Sequence, residues 1–282
     1  PALRKSHPQT EIIVVDDGST DDSVAVGKAN GARVVSLPYS MGNGAAIKAG
    51  ARAASGKVLV FMDADGQHQP EDVPRLLAKL AEGFDMAVGA RTKGSQAGAH
   101  RAFANGFYNR LASWMVGQKV EDLTSGFRAV RADKFRCFLH LLPNGFSYPT
   151  TITMSFFRAG HSVTYLPIFA PKRVGQSHVR LVRDGVRFLL IIFKIGTLYS
   201  PLKLFVPVSF MFFVTGLSYY LYTYLTTSRF PNMSALLFIT SVLVFLIGLV
   251  SEQITMLMYR DSDGRSDGDS GGDTDADNGR RL

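Results

Sequence analysis

Two carboxylates, Asp63 and Asp65, stand one residue apart directly behind the apolar run VLVFM (58–62). If that run is a buried strand, the chain leaves the sheet here, and both side chains can turn toward one point at its carboxyl edge. Two hard oxygen ligands so arranged suit Mg2+ or Mn2+, with substrate phosphates filling the remaining coordination positions. A second acidic pair, Asp16 and Asp17, closes the run EIIVV; Gly18 then allows a turn, and Ser19 or Thr20 can cap the helix that follows. A carboxylate at that edge can accept bonds from a base or ribose while the same turn is capped. The six histidines show no metal-ligand spacing. His68 is near Asp63 and Asp65 in sequence but reads as a neighbour, not a ligand. Gly42-Asn43-Gly44 resembles part of a phosphate-binding glycine fingerprint without its third glycine. Trp114 reads as a packing residue of an amphipathic helix, and Cys137, the single cysteine, as a small core residue that excludes an intrachain disulfide.

The elements that must carry these residues alternate. EIIVVDD (11–17), ARVVSLP (32–38), VLVFMDAD (58–65) and MAVGAR (86–91) read as strands, and the segments between them as helices, with GAAIKAGARAAS (44–55) and EDVPRLLAKLAEG (71–83) the clearest. Such alternation predicts βαβ units and a mostly parallel sheet, whose ligands bind beyond the carboxyl ends of the strands.

After residue 185 the composition changes. Leu204 to Leu225 is uncharged, and Leu236 to Ser251 is apolar, continuing from Ile254 to Tyr259. Two spans near the length that crosses a bilayer, joined by TTSRFPNMS, predict a transmembrane helical hairpin. Tyr219, Tyr220, Tyr222 and Tyr224 crowd one end of the first span, as expected at a headgroup interface. The linker carries only Arg229, whereas Arg and Lys are dense before the first span; the positive-inside rule then puts both termini and the catalytic domain in the cytoplasm. In 180–196, Arg180, Arg183, Arg187 and Lys194 recur at helical spacing opposite Leu, Val, Ile and Phe, which predicts a basic interfacial helix. The net charge is +8. The acidic run DSDGRSDGDSGGDTDADNG (261–279) has no apolar residue able to pack, and the tail reads as disordered. Basic residues gathered before apolar spans point to a lipid surface and away from nucleic acid. The boundaries are thus 1–178 for an α/β domain, 179–203 for the interfacial helix, 204–259 for two spans and 260–282 for the tail.

Five motifs occur in order: VVDDGSTD (14–21), GNGAA (42–46), DADGQH (63–68), GAR (89–91) and DLTSGFR (122–128). Together with the hairpin they resemble the family 2 glycosyltransferases, in the branch of dolichyl-phosphate mannose synthase and the polyprenyl-phosphate glycosyltransferases. The resemblance implies a GT-A-type, Rossmann-like fold. Members usually open with a strand and a P-x-Y-N-E type segment, so it also implies that the first strand is missing here and that this chain alone is poorly stable and weakly active. By the same resemblance Asp17 would bind the nucleotide donor together with Asp63 and Asp65. Asp63, Asp65 and Gln67 would hold the metal. Arg91 and Arg128 would hold the acceptor phosphate, and Asp122 would face the acceptor. Arg173, Gly175 and Ser177 would match a mobile R-x-G-x-S segment beside the site, with His178 where Lys or Arg is more usual.

The reaction so implied is inverting transfer of a hexose from a nucleotide sugar, of the GDP-mannose or UDP-glucose type, to polyprenyl phosphate at the cytoplasmic membrane face. A phosphate monoester, with a second pKa of about 6, needs no strong base, so Asp122 is expected to orient and not deprotonate. Paired spans can associate, and a homo-oligomer is among the expected states. The alternatives are a glycosyltransferase with another acceptor, as in polysaccharide synthesis, and a nonenzymatic membrane-bound nucleotide-sugar-binding protein. No Q-x-x-R-W segment supports the former, and the intact acidic pair disfavours the latter.

Overall fold

A computed structural model of the protein describes residues 2–92, 99–145, 148–171, 197, 200–228 and 231–267. The chain divides into two compact units, Pro1–Leu181 and Val182–Leu282.

The first unit opens with α1 (Ala2–Ser6), β1 (Ile13–Asp16), α2 (Ser23–Ala29), β2 (Arg33–Ser36), α3 (Asn43–Ala53) and β3 (Val58–Phe61). A 3-10 turn (Pro70–Asp72) then leads into α4 (Val73–Ala81), β4 (Met86–Arg91) and α5 (Ala99–Val116). The unit continues through β5 (Arg128–Arg131), α6 (Ala132–Cys137), α7 (Tyr148–Arg158) and β6 (Val163–Ile168). β1 and β2 form a parallel pair, and the other strands form a sheet in the order β3-β5-β4-β6. The expected parallel pairing holds for β1–β2 and β4–β6, whereas β5 runs antiparallel between β3 and β4, so the larger sheet is mixed. Sequence patterning did not disclose β5, because arginines stand at both of its ends and one of them, Arg128, is buried. Among the described residues β1 pairs only with β2, and β3 only with β5.

Packing follows from residue spacing. The run MAVGA of β4 is buried throughout, as a strand covered on both faces must be. Val73, Leu76 and Leu80 recur at helical spacing on α4 and pack on Ala87, Phe127, Ala129 and Ile168. Burying each of the two leucines contributes about 1.5–3 kcal/mol. At Gly89 a Cβ would stand 2.9 Å from Phe127 Cδ1, so a glycine is what lets Phe127 close over the sheet. That ring turns out to support the site.

In the second unit α8 (Pro201–Thr227) and α9 (Asn232–Asp267) form a hairpin. Both are long and apolar enough to cross a membrane over Pro201–Thr227 and Asn232–Leu257, and only 11% and 17% of their apolar windows are buried in the protein. Core helices of a soluble domain would be mostly covered, so the low burial favours lipid as the surrounding medium. The two helices approach through small residues: Ser209 and Ser241 each donate to the other's carbonyl at 2.8 and 2.9 Å, Gly216 meets Leu237, and Gly248 meets Phe205. Glu252, a carboxylate within the second span, accepts the Leu202 amide at 3.3 Å, satisfying a donor at the start of α8 that has no intrahelical partner. α9 continues past Tyr259 to Asp267, into the segment expected to be disordered from residue 260; extending an existing helix is easier than nucleating one. The basic segment with Arg180, Arg183, Arg187 and Lys194, and residues 268–282, lie outside the described residues.

Candidate active site

Asp63 and Asp65 follow β3, and two local devices fix the turn that carries them. Gly66 adopts φ 78°, which lets the chain reverse, and Asp65 Oδ1 accepts the Gln67 amide at 3.1 Å. The Asp63 amide donates to His68 Nδ1 at 2.9 Å, and the His68 ring stacks on Phe127 with centroids 4.9 Å apart. His68 is therefore an anchor of the turn, and its Nδ1 is not a metal ligand. Burial pushes its pKa down against the opposing pull of Asp63 and Asp65, which keeps the ring neutral at pH 7 with the proton on Nε2.

Asp63 is confined from the other side by Gly126. A Cβ there would stand 3.0 Å from Asp63 Oδ2 and 3.3 Å from the Tyr148 hydroxyl, and that hydroxyl donates to Gly126 O at 3.0 Å. The donor set suits a divalent cation: two carboxylates one residue apart, with no three His, Cys, Asp or Glu side chains grouped to enclose a metal among the described residues. Coordination would have to be completed by substrate oxygens. Gln67 lies in the same turn; its Nε2 donates to Pro171 O at 3.2 Å, so its carbonyl oxygen is the side-chain atom able to ligate a cation.

Arg91, at the carboxyl end of β4, forms a forked pair with Asp122: Nε to Oδ2 and Nη2 to Oδ1, both at 2.8 Å. The Arg91 amide adds a bond to Asp122 Oδ2 at 3.2 Å, and Thr124 Oγ1 accepts from Nη2 at 2.6 Å. Burial works against the Asp122 anion, but the Arg91 bonds outweigh it and hold the carboxyl below the usual carboxylate range. The bonds to Asp122 in turn raise Arg91, against its own burial. A carboxylate so paired is a poor proton acceptor. Asp63, Asp65, Arg91 and Asp122 all act electrostatically on His68, which marks them as one cluster.

Two residues take other roles than expected. Arg128 is wholly buried and does not reach the cluster's surface. Its Nη2 donates to Ser125 O, and Nη1 donates to Pro149 O at 3.3 Å and Thr153 Oγ1 at 3.1 Å; the guanidinium lies 5.6 Å from the Tyr148 ring centroid. It ties the loop behind Asp122 to α7, and the acceptor contact assigned to it is corrected to a supporting one. The physical reason is its position in β5, at the centre of the mixed sheet. Asp17 has both oxygens engaged, with Ser40 Oγ and Gly42 N each at 2.9 Å and Met41 N at 2.7 Å, so it pins the turn before α3. Gly42-Asn43-Gly44 opens α3 against protein and not phosphate: the Ala45 amide donates to Asn144 O at 2.8 Å, and a Cβ on Gly44 would collide with Pro143 O. Trp114 is 49% exposed and Cys137 is exposed, which corrects both packing expectations. Arg173, Gly175, Ser177 and His178 lie outside the described residues. Sequence reading missed His68, Gly126 and Tyr148 as supports; the signal available for His68 was its presence in the DADGQH motif.

Residues 2–139 match the family description Glycosyl transferase family 2, and residues 200–257 match the GtrB C-terminal hairpin. An undecaprenyl-phosphate mannosyltransferase from Micrococcus luteus is 31% identical over 193 residues, 62% of this chain and 78% of that protein. Glycosyltransferase AglJ of Haloferax volcanii is 28% identical over 75% of this chain and 71% of its own length. An undecaprenyl-phosphate 4-deoxy-4-formamido-L-arabinose transferase of Klebsiella pneumoniae is 37% identical over 44% of this chain, and the match spans only 39% of that protein. Among solved structures, glucosyl-3-phosphoglycerate synthase from Mycobacterium tuberculosis with Mn2+ and UDP-glucose is similar at 25% identity and a TM-score of 0.51, over 64% of this chain and 67% of that one.

Proposed function

The chain belongs to glycosyl transferase family 2, in its polyprenyl-phosphate branch, and from that premise we propose that it transfers a hexose from a nucleotide sugar to a polyprenyl phosphate at a membrane face. The observation that carries this reading is one strand-end cluster: a metal-competent Asp63/Asp65 turn beside an arginine held by Asp122, in a chain that also has a membrane hairpin. The relatives' names supply the acceptor class, and the solved neighbour's bound UDP-glucose and Mn2+ supply the donor class and the metal.

Chemically, a phosphate oxygen of the acceptor attacks the anomeric carbon as the bond from that carbon to the nucleoside diphosphate breaks. The bonding pair leaves on the diphosphate, and the configuration inverts. The acceptor is already ionised near neutral pH, so no residue need remove a proton. Mg2+ or Mn2+, held by Asp63, Asp65 and the Gln67 carbonyl, would supply charge neutralisation on the diphosphate. Arg91 commits Nε and Nη2 to Asp122 and Thr124, and on a side chain 27% exposed its Nη1 is the donor offered to the acceptor phosphate. Asp122 fixes the guanidinium plane. It thereby prevents Arg91 from collapsing onto Asp63, whose charge also acts on it. Asp17 serves the donor through the turn it pins. Arg173 and Ser177 complete the acceptor side in this reading. The catalytic unit and both termini face the cytoplasm, by the charge asymmetry around the hairpin.

The test uses the chain in membranes with polyprenyl phosphate and Mn2+, offering labelled GDP-mannose, UDP-glucose and UDP-N-acetylglucosamine in parallel. Label should enter the lipid phase from one donor, only with metal, and vanish in Asp63→Ala while that variant stays in the membrane. Metal-independent labelling, or labelling that survives Asp63→Ala, would overturn the reading.

A further inference from the structure

Four buried side-chain polar atoms meet no partner among the described residues, and two of them, Arg128 Nε and the Tyr165 hydroxyl, lie on one row of the larger sheet. Arg128 of β5 and Tyr165 of β6 both stand opposite Val88 of β4. Residues directly opposite one another share a face of the sheet, so the arginine and the tyrosine flank Val88 on the same side. α7 covers that side, where Arg128 Nη1 donates to Pro149 O and Thr153 Oγ1. Burial raises the pKa of the Tyr165 hydroxyl; Arg128 opposes the rise, and Asp122 and Glu121 add to it. Tyr165 therefore lies within electrostatic reach of Arg128 and of the loop that carries Asp122. Two ladder spacings, about 9–10 Å, separate the backbones of β5 and β6, and Val88 between them is shorter than either neighbour. Buried polar groups that face each other across more than one hydrogen bond are commonly joined by an ordered water.

We propose that one internal water joins Arg128 Nε to the Tyr165 hydroxyl, and that Tyr165 is, through it, a positioning residue for the Arg91–Asp122 pair. The water accepts the Nε–H and shares a hydrogen bond with the hydroxyl, which can donate or accept. That fixes the guanidinium plane at the one donor the protein leaves open. From this plane Nη2 reaches Ser125 O, and Ser125 Oγ donates to Gly89 O at 2.6 Å. The turn that begins at Asp122 is thereby tied to β4 two residues before Arg91, and Asp122 holds Arg91 in its fork. The bearing of this chain on transfer rests on the reading of Arg91 as the donor to the acceptor phosphate; the water does not, and its test needs no turnover.

The full chain, 15N-labelled at arginine, would be studied by NMR in detergent micelles with neither nucleotide sugar nor acceptor present. The Nε–H signals of Arg128, Arg91 and Arg131 are assigned by correlation to their own backbone amides. Arg128 Nε–H should show a rotating-frame Overhauser cross-peak to water, opposite in sign to chemical exchange. Tyr165→Phe keeps the ring and deletes only the hydroxyl. It should abolish that cross-peak and shift the Arg91 Nε–H signal. The Arg131 signal, from a side chain 3.7 Å from Asp85 at the other end of β5, should stay in place. No water cross-peak in the parent would overturn the proposal, and a contact to the tyrosine hydroxyl in its place would replace the water with a direct bond. A water cross-peak that survives in Tyr165→Phe would remove Tyr165 from the bridge. An Arg91 signal that does not move would remove it from the positioning role, and one that moves together with Arg131 would reduce the effect to a general loosening of the sheet.

Discussion

The bond from the Asp63 amide to His68 Nδ1 separates two substitutions that look alike. Asparagine carries its amide oxygen near the place of Nδ1, and glutamine near that of Nε2. His68→Asn should therefore keep Mn2+ affinity close to that of the parent. His68→Gln leaves a part-buried amide without its acceptor, at a cost of about 1–3 kcal/mol, or roughly 5- to 150-fold in Mn2+ affinity. Titration of free Mn2+ in the presence of nucleoside diphosphate reads this directly, and equal affinities in the two variants would remove His68 from the supporting role. The Arg91–Asp122 pair makes a second residue-scale prediction. The folded-state pKa of Asp122 lies below its unfolded value of about 3.9, so its contribution to stability is complete above that value and is lost as pH falls through the lower, folded one. Asp122→Asn should flatten this part of the acid-unfolding curve. Asp122→Ala should cost about 3 kcal/mol at pH 7, the low end for breaking a buried pair, because Arg91 is 27% exposed and water can compensate it in part. Urea unfolding followed across pH checks both.

At the scale of elements, the hairpin depends on how closely α8 and α9 approach. A Cβ on Gly248 would stand 2.6 Å from Phe205 Cβ, an atom with little freedom to yield, whereas one on Gly216 would stand 3.1 Å from Leu237 Cβ. Gly248→Leu should separate the helices and lower the thermal midpoint in detergent clearly more than Gly216→Ala, whose effect should stay near the 1–3 kcal/mol of ordinary overpacking. Similar midpoints for the two variants would mean that the helices are not packed in this register. In the catalytic unit the comparable element is β5, inserted antiparallel between β3 and β4. It brings Arg128 under the Asp122 loop, and the residue that leads into it, Phe127, stacks under His68, so one segment supports both halves of the cluster.

For the whole molecule, the single exposed thiol of Cys137 tests topology without an engineered label. If the catalytic unit faces the cytoplasm, a membrane-impermeant maleimide should leave Cys137 unmodified in intact cells and modify it after permeabilisation. Labelling of intact cells would invert the assigned orientation. Alkaline carbonate should leave the chain in the membrane fraction in either case, because the two spans do not depend on surface charge for their retention.

Local pattern carried a definite part of this protein. The strands behind both acidic pairs, the helix α4 and the two spans follow from apolar periodicity and length, which are properties of short windows of chain. Asp63 and Asp65 could be singled out because strand ends in an α/β sheet gather at one edge, whereas Arg91 came only from the family resemblance. What the windows could not contain was partnership across the chain. Arg128 is expected at the acceptor phosphate until β5 is seen between two strands, where its Nη1 and Nη2 find carbonyls of Pro149 and Ser125 that no local rule could assign. Asp17 looks like a ligand contact until the turn before α3 folds onto both its oxygens, 23 to 25 residues away. Trp114 looks like a core residue until α5 turns Ala112 and Met115 inward in its place. Sequence alone determined which residues are able to do chemistry and which segments are able to enter a membrane. The tertiary structure decided which charges are spent on holding the protein together and which are left for a substrate, because a hydrogen bond has a fixed capacity and only long-range packing determines where it is used.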